Sequence, residues 1–366
     1  MSATDLLQGQ EARRRFADWL QAAAGLAVPD PEAIHVERPS GGWSNETAIL
    51  SAGDVRLVLR LEPSGLAMFP SYDLGREAAV LAALNRDGPP PAPPPVPVLL
   101  GHEPDPEVLG RPFLAMAFVP GQVPSDSKPG YAEAGWLAEA PPDRQRLFWR
   151  ELMAGLAALH AVDWQARGLG RLAPDGGGAL AAGLDWLEGL HGWSAVAQPQ
   201  VEAGLAELRR TLPAAVAAAG PDRLLWGDAR PANVIARDFR VAALLDWEMA
   251  AIGPAELDLA WLLEMHWMRT EGAGVVPPAG FPDEAGLLAL YAAAAGGQAR
   301  RPSSWYRLFS AVKMAVLMHR HLVVAVDRGM LRAGHPLLRE NVATRRVGAL
   351  LEQDQRKQDQ RKQELG

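Results

Sequence analysis

Between Trp226 and Glu248 the chain reads Trp-Gly-Asp-Ala-Arg-Pro-Ala-Asn, then Val234-Ile-Ala, the turn Arg237-Asp-Phe-Arg240, then Val241-Ala-Ala-Leu-Leu and Asp246-Trp-Glu. Two short apolar runs around a turn predict a β-hairpin. No other segment constrains the fold as much, because a hairpin returns the chain to its own start. Paired strands lie roughly 4.7–4.9 Å apart. Asp246 is therefore expected near Asn233, thirteen residues before it, with oxygens of both in reach of one cation. Magnesium suits such a pair, since it takes one or two protein oxygens and otherwise keeps waters or phosphates. Asp228, five residues before Asn233, stands on the loop leading into the hairpin. A carboxylate there can face a hydroxyl as a base.

Taken alone, Asp-x-x-x-x-Asn is also what an ordinary turn looks like, because both residues bond their own backbone. The longer pattern carries more. Gly227 precedes Asp228, and Asp246-Trp-Glu ends the hairpin. Gly253-Pro254 and Glu256-Leu-Asp258-Leu-Ala then open an apolar helix. On these residues Trp226–Ala260 resembles the core of the aminoglycoside phosphotransferase and choline kinase-like family, whose usual form is His-Gly-Asp-x-x-x-x-Asn, Ile-Asp-Trp/Phe-Glu and Asp-Leu-Ala. It is most similar to a bacterial subgroup with Trp-Gly-Asp-x-Arg and Leu-Asp-Trp-Glu-Met-Ala; acyl-CoA dehydrogenase-linked kinase-like domains are near relatives. The resemblance covers residues 30 to 330 or so. It implies an α+β, bilobal protein-kinase-like fold with a small antiparallel-sheet N-lobe and a larger, mostly helical C-lobe. The divisions expected are a helical segment over 1–29, a nucleotide-binding N-lobe over 30–118, a C-lobe over 119–350 and a polar tail over 351–366.

The N-terminal half fits that expectation. Ser40-Gly41-Gly42-Trp-Ser44-Asn45-Glu-Thr47 is a glycine turn entering a strand. Glycines let a backbone approach phosphates, and hydroxyls add donors. A double glycine between strands is equally an ordinary hairpin. Val55–Leu61 alternates like a strand and carries Arg60 where kinases place a phosphate-binding Lys. Arg can bind phosphate bidentately. Glu77, in the first turn of a helix that Asp73 or Ser71 would cap, occupies the place of the acid that pairs with that cation. A first-turn Glu also suits the helix dipole without any such pair. Gly88–Pro97 is a proline run, expected as a stiff connector. By resemblance, Phe113–Gly121 links the lobes; adenine would bond backbone around Ala117 and Val119, with Met116 behind it.

Further helices are expected over Arg144–His160, Val201–Ala218, Leu257–Met268 and Ser304–Arg328. His160 at a helix end, and Met314, Met318, His319 and His321 in the last helix, are expected as core or wall. The chain has 366 residues, 48% hydrophobic and 22% charged, enough for two lobes each with a core. There is no cysteine, which excludes disulfides and thiol chemistry. The first residues carry no export signal, and the longest apolar stretch, near 309–326, is broken by Lys313, His319, Arg320 and His321. A cytoplasmic protein without membrane or nucleic-acid partners is expected, as monomer or homodimer. The net charge of −7 agrees for nucleic acid and weakly favours a cationic substrate. The tandem Gln-Asp-Gln-Arg-Lys after Leu351 is either a solvated helix extension or a disordered tail.

The resemblance implies transfer of a γ-phosphate from ATP, or GTP, to a hydroxyl of a small molecule. Asn233 and Asp246 would hold Mg2+, Arg60 would add fixed charge and Asp228 would act as base. Arg230 either touches the γ-phosphate or is a surface loop residue. Glu248 and Asp258 are expected in support, Asp258 capping a helix or bracing the loop. One departure matters: Trp226 stands where the family carries His. Either the Trp replaces it by packing, or the site is degraded. A nucleotide-binding pseudokinase and a metal-dependent phosphoester hydrolase therefore stay open beside the kinase.

Overall fold

The computed structural model describes residues 7, 9–38, 45–88, 91–176, 178–194, 196–297 and 299–365. Ser40, Gly41, Gly42 and Ser44 lie outside them. Five strands build an antiparallel sheet in the order β1-β2-β3-β5-β4: β1 His35–Glu37, β2 Glu46–Ala52, β3 Val55–Leu61, β4 Leu99–Glu103 and β5 Phe113–Ala117. Alternation along β3 sends Leu57, Leu59 and Leu61 to one face and Val58 and Arg60 to the other. On the first face lies helix α1, Gln10–Ala24, with Phe16 and Leu20 buried in the same cluster and the Trp19 ring 4.6 Å from that of Phe113. The N-terminal helix thus shares the core of the small sheet. On the second face lies α2, Leu74–Asn85. Asp73 caps it by accepting the N–H of Arg76 at 3.0 Å, the choice between Asp73 and Ser71 that the sequence left open.

The hairpin forms as the apolar runs predict. β7, Val234–Arg237, pairs with β8, Arg240–Leu244, and both turn residues, Asp238 and Phe239, have positive φ. Two neighbours pin it. Gln122, just past β5, exchanges both backbone bonds with Ala236 at 2.8 Å, and Pro95 of the proline connector accepts the N–H of Leu244 at 2.9 Å. Gly121 permits the first contact: a Cβ there would lie 2.4 Å from the Ile235 side chain. A second pair, β6 Asp222–Leu225 with β9 Ala251–Pro254, flanks the loop between β6 and the hairpin.

The rest is helical: α3 Pro142–His160, α4 Ala179–Ser194, α5 Pro199–Ala217, α6 Glu256–Arg269, α7 Glu284–Ala294, α8 Ser304–Asp327 and α9 Val342–Leu365. Helix α8 packs against α4, α5, α6 and α9. By length and composition it could cross a membrane, but most of it is buried in the protein, as suits a core helix. The Gln-Asp-Gln-Arg-Lys repeat continues α9 as a helix. One apolar cluster joins α2, the inner face of the sheet and the helices, and includes the fully buried Trp149, Trp226 and Trp247. Truncating any of the three to Ala would cost roughly 3–5 kcal/mol.

Candidate active site

Asp228 sits where β6 ends. Gly227 before it has φ +82°, and a Cβ there would fall 2.0 Å from the carbonyl oxygen of Met249. Only glycine fits that turn without displacing backbone. Asp258, in the first turn of α6, holds the turn from below. Its carboxylate accepts the N–H groups of Trp226 at 2.7 Å and Gly227 at 2.9 Å, and His160 Nε2 lies 3.1 Å away. Helix α6 begins at Glu256 with Ala255 as its cap, so Asp258 braces the loop rather than capping the helix. His160 bonds Tyr291 through Nδ1 at 2.7 Å, a structural place as expected. Trp226 is fully buried, donates Nε1–H to Leu245 O at 2.7 Å and packs on Trp247 at 6.0 Å. It thus ties the loop before Asp228 to the segment carrying Asp246.

The Asp228 carboxylate is buried and accepts three side-chain bonds. Trp261 Nε1 donates to Oδ1 at 2.8 Å; Arg230 Nε and Asn233 Nδ2 donate to Oδ2 at 2.8 and 2.7 Å. Burial alone would push the carboxyl up. The Arg230 guanidinium and the Lys313 ammonium, with the bonds from Trp261 and Asn233, outweigh it and hold Asp228 below the usual carboxylate range. Arg230 is therefore no surface loop residue. It also pairs with Asp126, which reaches Arg269 at 3.1 Å.

Asn233 spends its amide nitrogen on Asp228, also bonding the Asp228 backbone carbonyl at 3.0 Å. Its carbonyl Oδ1 is then the atom that could reach a cation. Leu245 N–H bonds Asn233 O at 2.9 Å, which brings Asp246 to the same end of the hairpin. Asp246 has φ 66° and ψ 68°, a left-handed conformation that Asp tolerates better than most residues. One amide and one carboxylate oxygen are a donor set that fits Mg2+, with phosphates and water completing it.

Arg60, on the inner face of β3, bonds Glu77 Oε1 at 3.0 Å and Asp246 Oδ1 at 2.8 Å. The expected Arg60–Glu77 pair exists, and it extends to the hairpin. Burial works against the Arg60 charge. Glu77, Asp246 and Glu248 outweigh it and hold Arg60 above its usual range, so the guanidinium stays charged. Burial also pushes the Glu77 carboxyl up, to about 7, against the pull of Arg60. Arg60 shifts upward because carboxylates surround it, and Glu77 because its burial outweighs the pull of Arg60. Arg60 Nε and Asn45 Oδ1 are buried without a hydrogen-bond partner among the described residues. Asn45 Nδ2 donates to Glu248 Oε2 at 2.8 Å, joining the end of the glycine turn to the residues after Asp246.

The register places the other candidates. Thr47 is opposite Arg60, and Met116 is opposite Val58, so all four share the inner face of the sheet. At the link between lobes the N–H of Ala117 is bound to Val98 O at 2.8 Å and that of Phe118 to Arg56 O at 3.2 Å. Among the described residues Val119 N–H makes no such backbone bond. The N–H of Ala117 is thus already taken. A cavity of about 590 Å³ opens between α2, α4, α6 and α8, lined among others by Asn45, Tyr72, Trp186, Trp261 and Lys313. Sequence reading missed Trp261, Asp126 and Lys313. For Lys313 there was a signal: a lysine amid the apolar residues of α8.

The model of the phosphotransferase enzyme family matches residues 35–303. The chain belongs to this family. A probable acyl-CoA dehydrogenase, IBR3 of Arabidopsis thaliana, is 27% identical over 249 residues, 65% of this chain. The chain spans only 29% of that relative's length. Among solved structures, a putative aminoglycoside phosphotransferase of Ralstonia eutropha JMP134 superposes with a TM-score of 0.65 at 23% identity, covering 92% of this chain and 95% of the other. A thermostable mutant of the aminoglycoside phosphotransferase APH(4)-Ia, in ternary complex with AMP-PNP and hygromycin B, gives 0.56 at 14% identity, covering 92% and 97%. At such identities these structures speak to the fold, which is that of the aminoglycoside phosphotransferases.

Proposed function

We propose that this phosphotransferase moves the γ-phosphate of ATP to a hydroxyl of a small molecule, with Asp228 as the base. One observation carries the reading. The Asp228 carboxylate, kept ionised in a buried site, stands beside Asn233, and the backbone bond from Asn233 to Leu245 ties it to the Arg60–Asp246 link across the cleft. The binding of AMP-PNP by a protein of the same fold favours ATP as donor.

Phosphoryl transfer needs mainly alignment and stabilisation of spread negative charge. Asp228 accepts the proton of the acceptor hydroxyl as its oxygen bonds the γ-phosphorus. The bond from that phosphorus to the β–γ bridging oxygen breaks, and ADP leaves. Arg60 adds fixed positive charge on the inner face of the sheet, oriented by Glu77. Arg230, paired with Asp228 and Asp126, would exchange one of these carboxylates for the γ-phosphate. Asn233 and Asp246 would hold magnesium, which supplies charge neutralisation across the phosphates. Trp226 supports activity rather than its loss, since its backbone and indole bonds complete the loop.

The test is magnesium-dependent ADP release with a panel of alcohols, with phosphorylated products read by mass spectrometry. Transfer that depends on both acceptor and Asp228 supports the reading. ATP binding with no turnover would make the chain a pseudokinase. Cleavage of phosphoesters without ATP would make it a hydrolase.

A further inference from the structure

Lys313 lies in the middle of α8, between Val312 and Met314, and is buried at 8% exposure. An ammonium carries three donors. Among the described residues Nζ makes one hydrogen bond, to Gly227 O at 2.5 Å, and lies 4.3 Å over the Trp261 ring. Among the described residues no salt bridge joins it to a carboxylate. A buried ammonium is costly unless paired, so stability alone would favour an apolar residue like its neighbours. The two groups it does touch are the residue before Asp228 and the indole that bonds Asp228 Oδ1. Lys313 also lines the cavity.

We propose that Lys313 is a positioning residue of the phosphoryl transfer: it clamps the Gly227 carbonyl and the Trp261 indole, and through them sets the place of the Asp228 carboxylate. The proposal rests on Asp228 being the base. The contacts around that base single out Lys313. Arg230 faces Asp228 from its own loop but is shared with Asp126, which also holds Arg269. Asp258 of α6 is occupied by two backbone N–H groups and His160 of α3. His321, two turns further along α8, feels Arg230, Asp228 and Asp126, and burial pushes its pKa down. Asp246 adds to the hold on Arg230. Lys313 is then the cation near Asp228 that no carboxylate shares by direct contact. Its removal frees the Gly227 carbonyl and the Trp261 indole that border Asp228.

The test compares Lys313→Met, Lys313→Gln and Lys313→Arg in the full chain. The first readout is the 1H–15N resonance of the Trp261 indole, assigned with Trp261→Phe; the second is the split between kcat and the KM for ATP. Met and Gln should move the indole resonance and lower kcat roughly 10- to 100-fold while the KM for ATP stays within about threefold. Arg should restore most of the rate. An unmoved indole resonance or a wild-type kcat in a folded Met or Gln variant overturns the proposal. If both neutral variants fail to fold while Arg folds with a kcat that is not restored, the proposal also fails. A moved indole resonance with no transfer to any acceptor by the wild-type chain would instead remove the phosphotransfer reading and leave the contact of Lys313 with Gly227 and Trp261 standing.

Discussion

Arg60 Nη2 lies 2.8 Å from Asp246 Oδ1, so the cation of the small sheet is bonded to the carboxylate that ends the hairpin. Glu77 holds the same guanidinium from α2 at 3.0 Å. Because Arg60 has two anchors, the losses should not be equal. Arg60→Met should lower kcat/KM for ATP more than Glu77→Gln, which leaves the Asp246 bond in place. The double variant should be no worse than Arg60→Met, with a coupling of about 0.5–3 kcal/mol. Arg60→Lys should retain part of the activity, keeping the charge and losing the fork. Additive losses across the cycle would show that the two residues act independently.

Asp228→Asn keeps the shape of the base and removes its proton affinity. Transfer should fall by roughly 10²–10⁴-fold, with ATP affinity within a few-fold. Single-turnover rates and nucleotide titrations separate the two. A variant that still transfers at the wild-type rate would remove Asp228 from the role of base.

Asp246 and Glu248 flank Trp247, but they do different work. Asp246 meets Arg60 and stands at the end of the hairpin near Asn233; Glu248 accepts Asn45 at 2.8 Å. Asp246→Ala should abolish magnesium-dependent nucleotide binding, whereas Glu248→Gln should only weaken it, since the amide can still accept from Asn45. Calorimetry with and without magnesium distinguishes them, and equal losses would make Glu248 a metal ligand.

The hairpin was legible because its signal is local: two apolar runs and a turn fix β7, β8 and the approach of Asp246 to Asn233. The Arg60–Glu77 pair was legible by resemblance, through a strand and a helix of familiar order. Trp261, Asp126 and Lys313 were not. Each meets the loop around Asp228 from a segment distant in sequence, and only Lys313, a lysine amid apolar residues, is marked by its neighbours. Trp261 in an apolar helix reads as core, and its bond to Asp228 Oδ1 depends on how α6 rotates against the loop. The two alternatives for Asp258 differed by where α6 begins, a matter of two residues that periodicity cannot resolve.

Gly227 tests the loop itself. With φ +82° and Met249 O 2.0 Å from where a Cβ would stand, Gly227→Ala must shift either the Met249 backbone or the base. It should cost about 1–3 kcal/mol for the conformation alone and reduce transfer as Asp228 moves. Thermal melts and rates read both. An alanine variant as stable and active as wild type would mean that the turn is not the one described.

His266 of α6 gives the protein an acid sensitivity remote from the base. Its ring is packed against Trp149 at 4.8 Å, and Nδ1 lies 3.3 Å from Tyr131 Oη. Burial pushes its pKa down from 6.5 to about 4, against one backbone bond that raises it. Between about 6.5 and 4 the unfolded chain therefore binds a proton that the folded one refuses. Stability from this group is complete above the unfolded value and is lost as pH falls toward 4, by at most about 3 kcal/mol. His266→Phe keeps a ring in the cluster and removes the titration. Its denaturation midpoint should fall less than that of wild type between pH 7 and 4.5. A wild-type His266 ring that titrates near 6.5 by NMR would refute both the burial cost and the predicted difference.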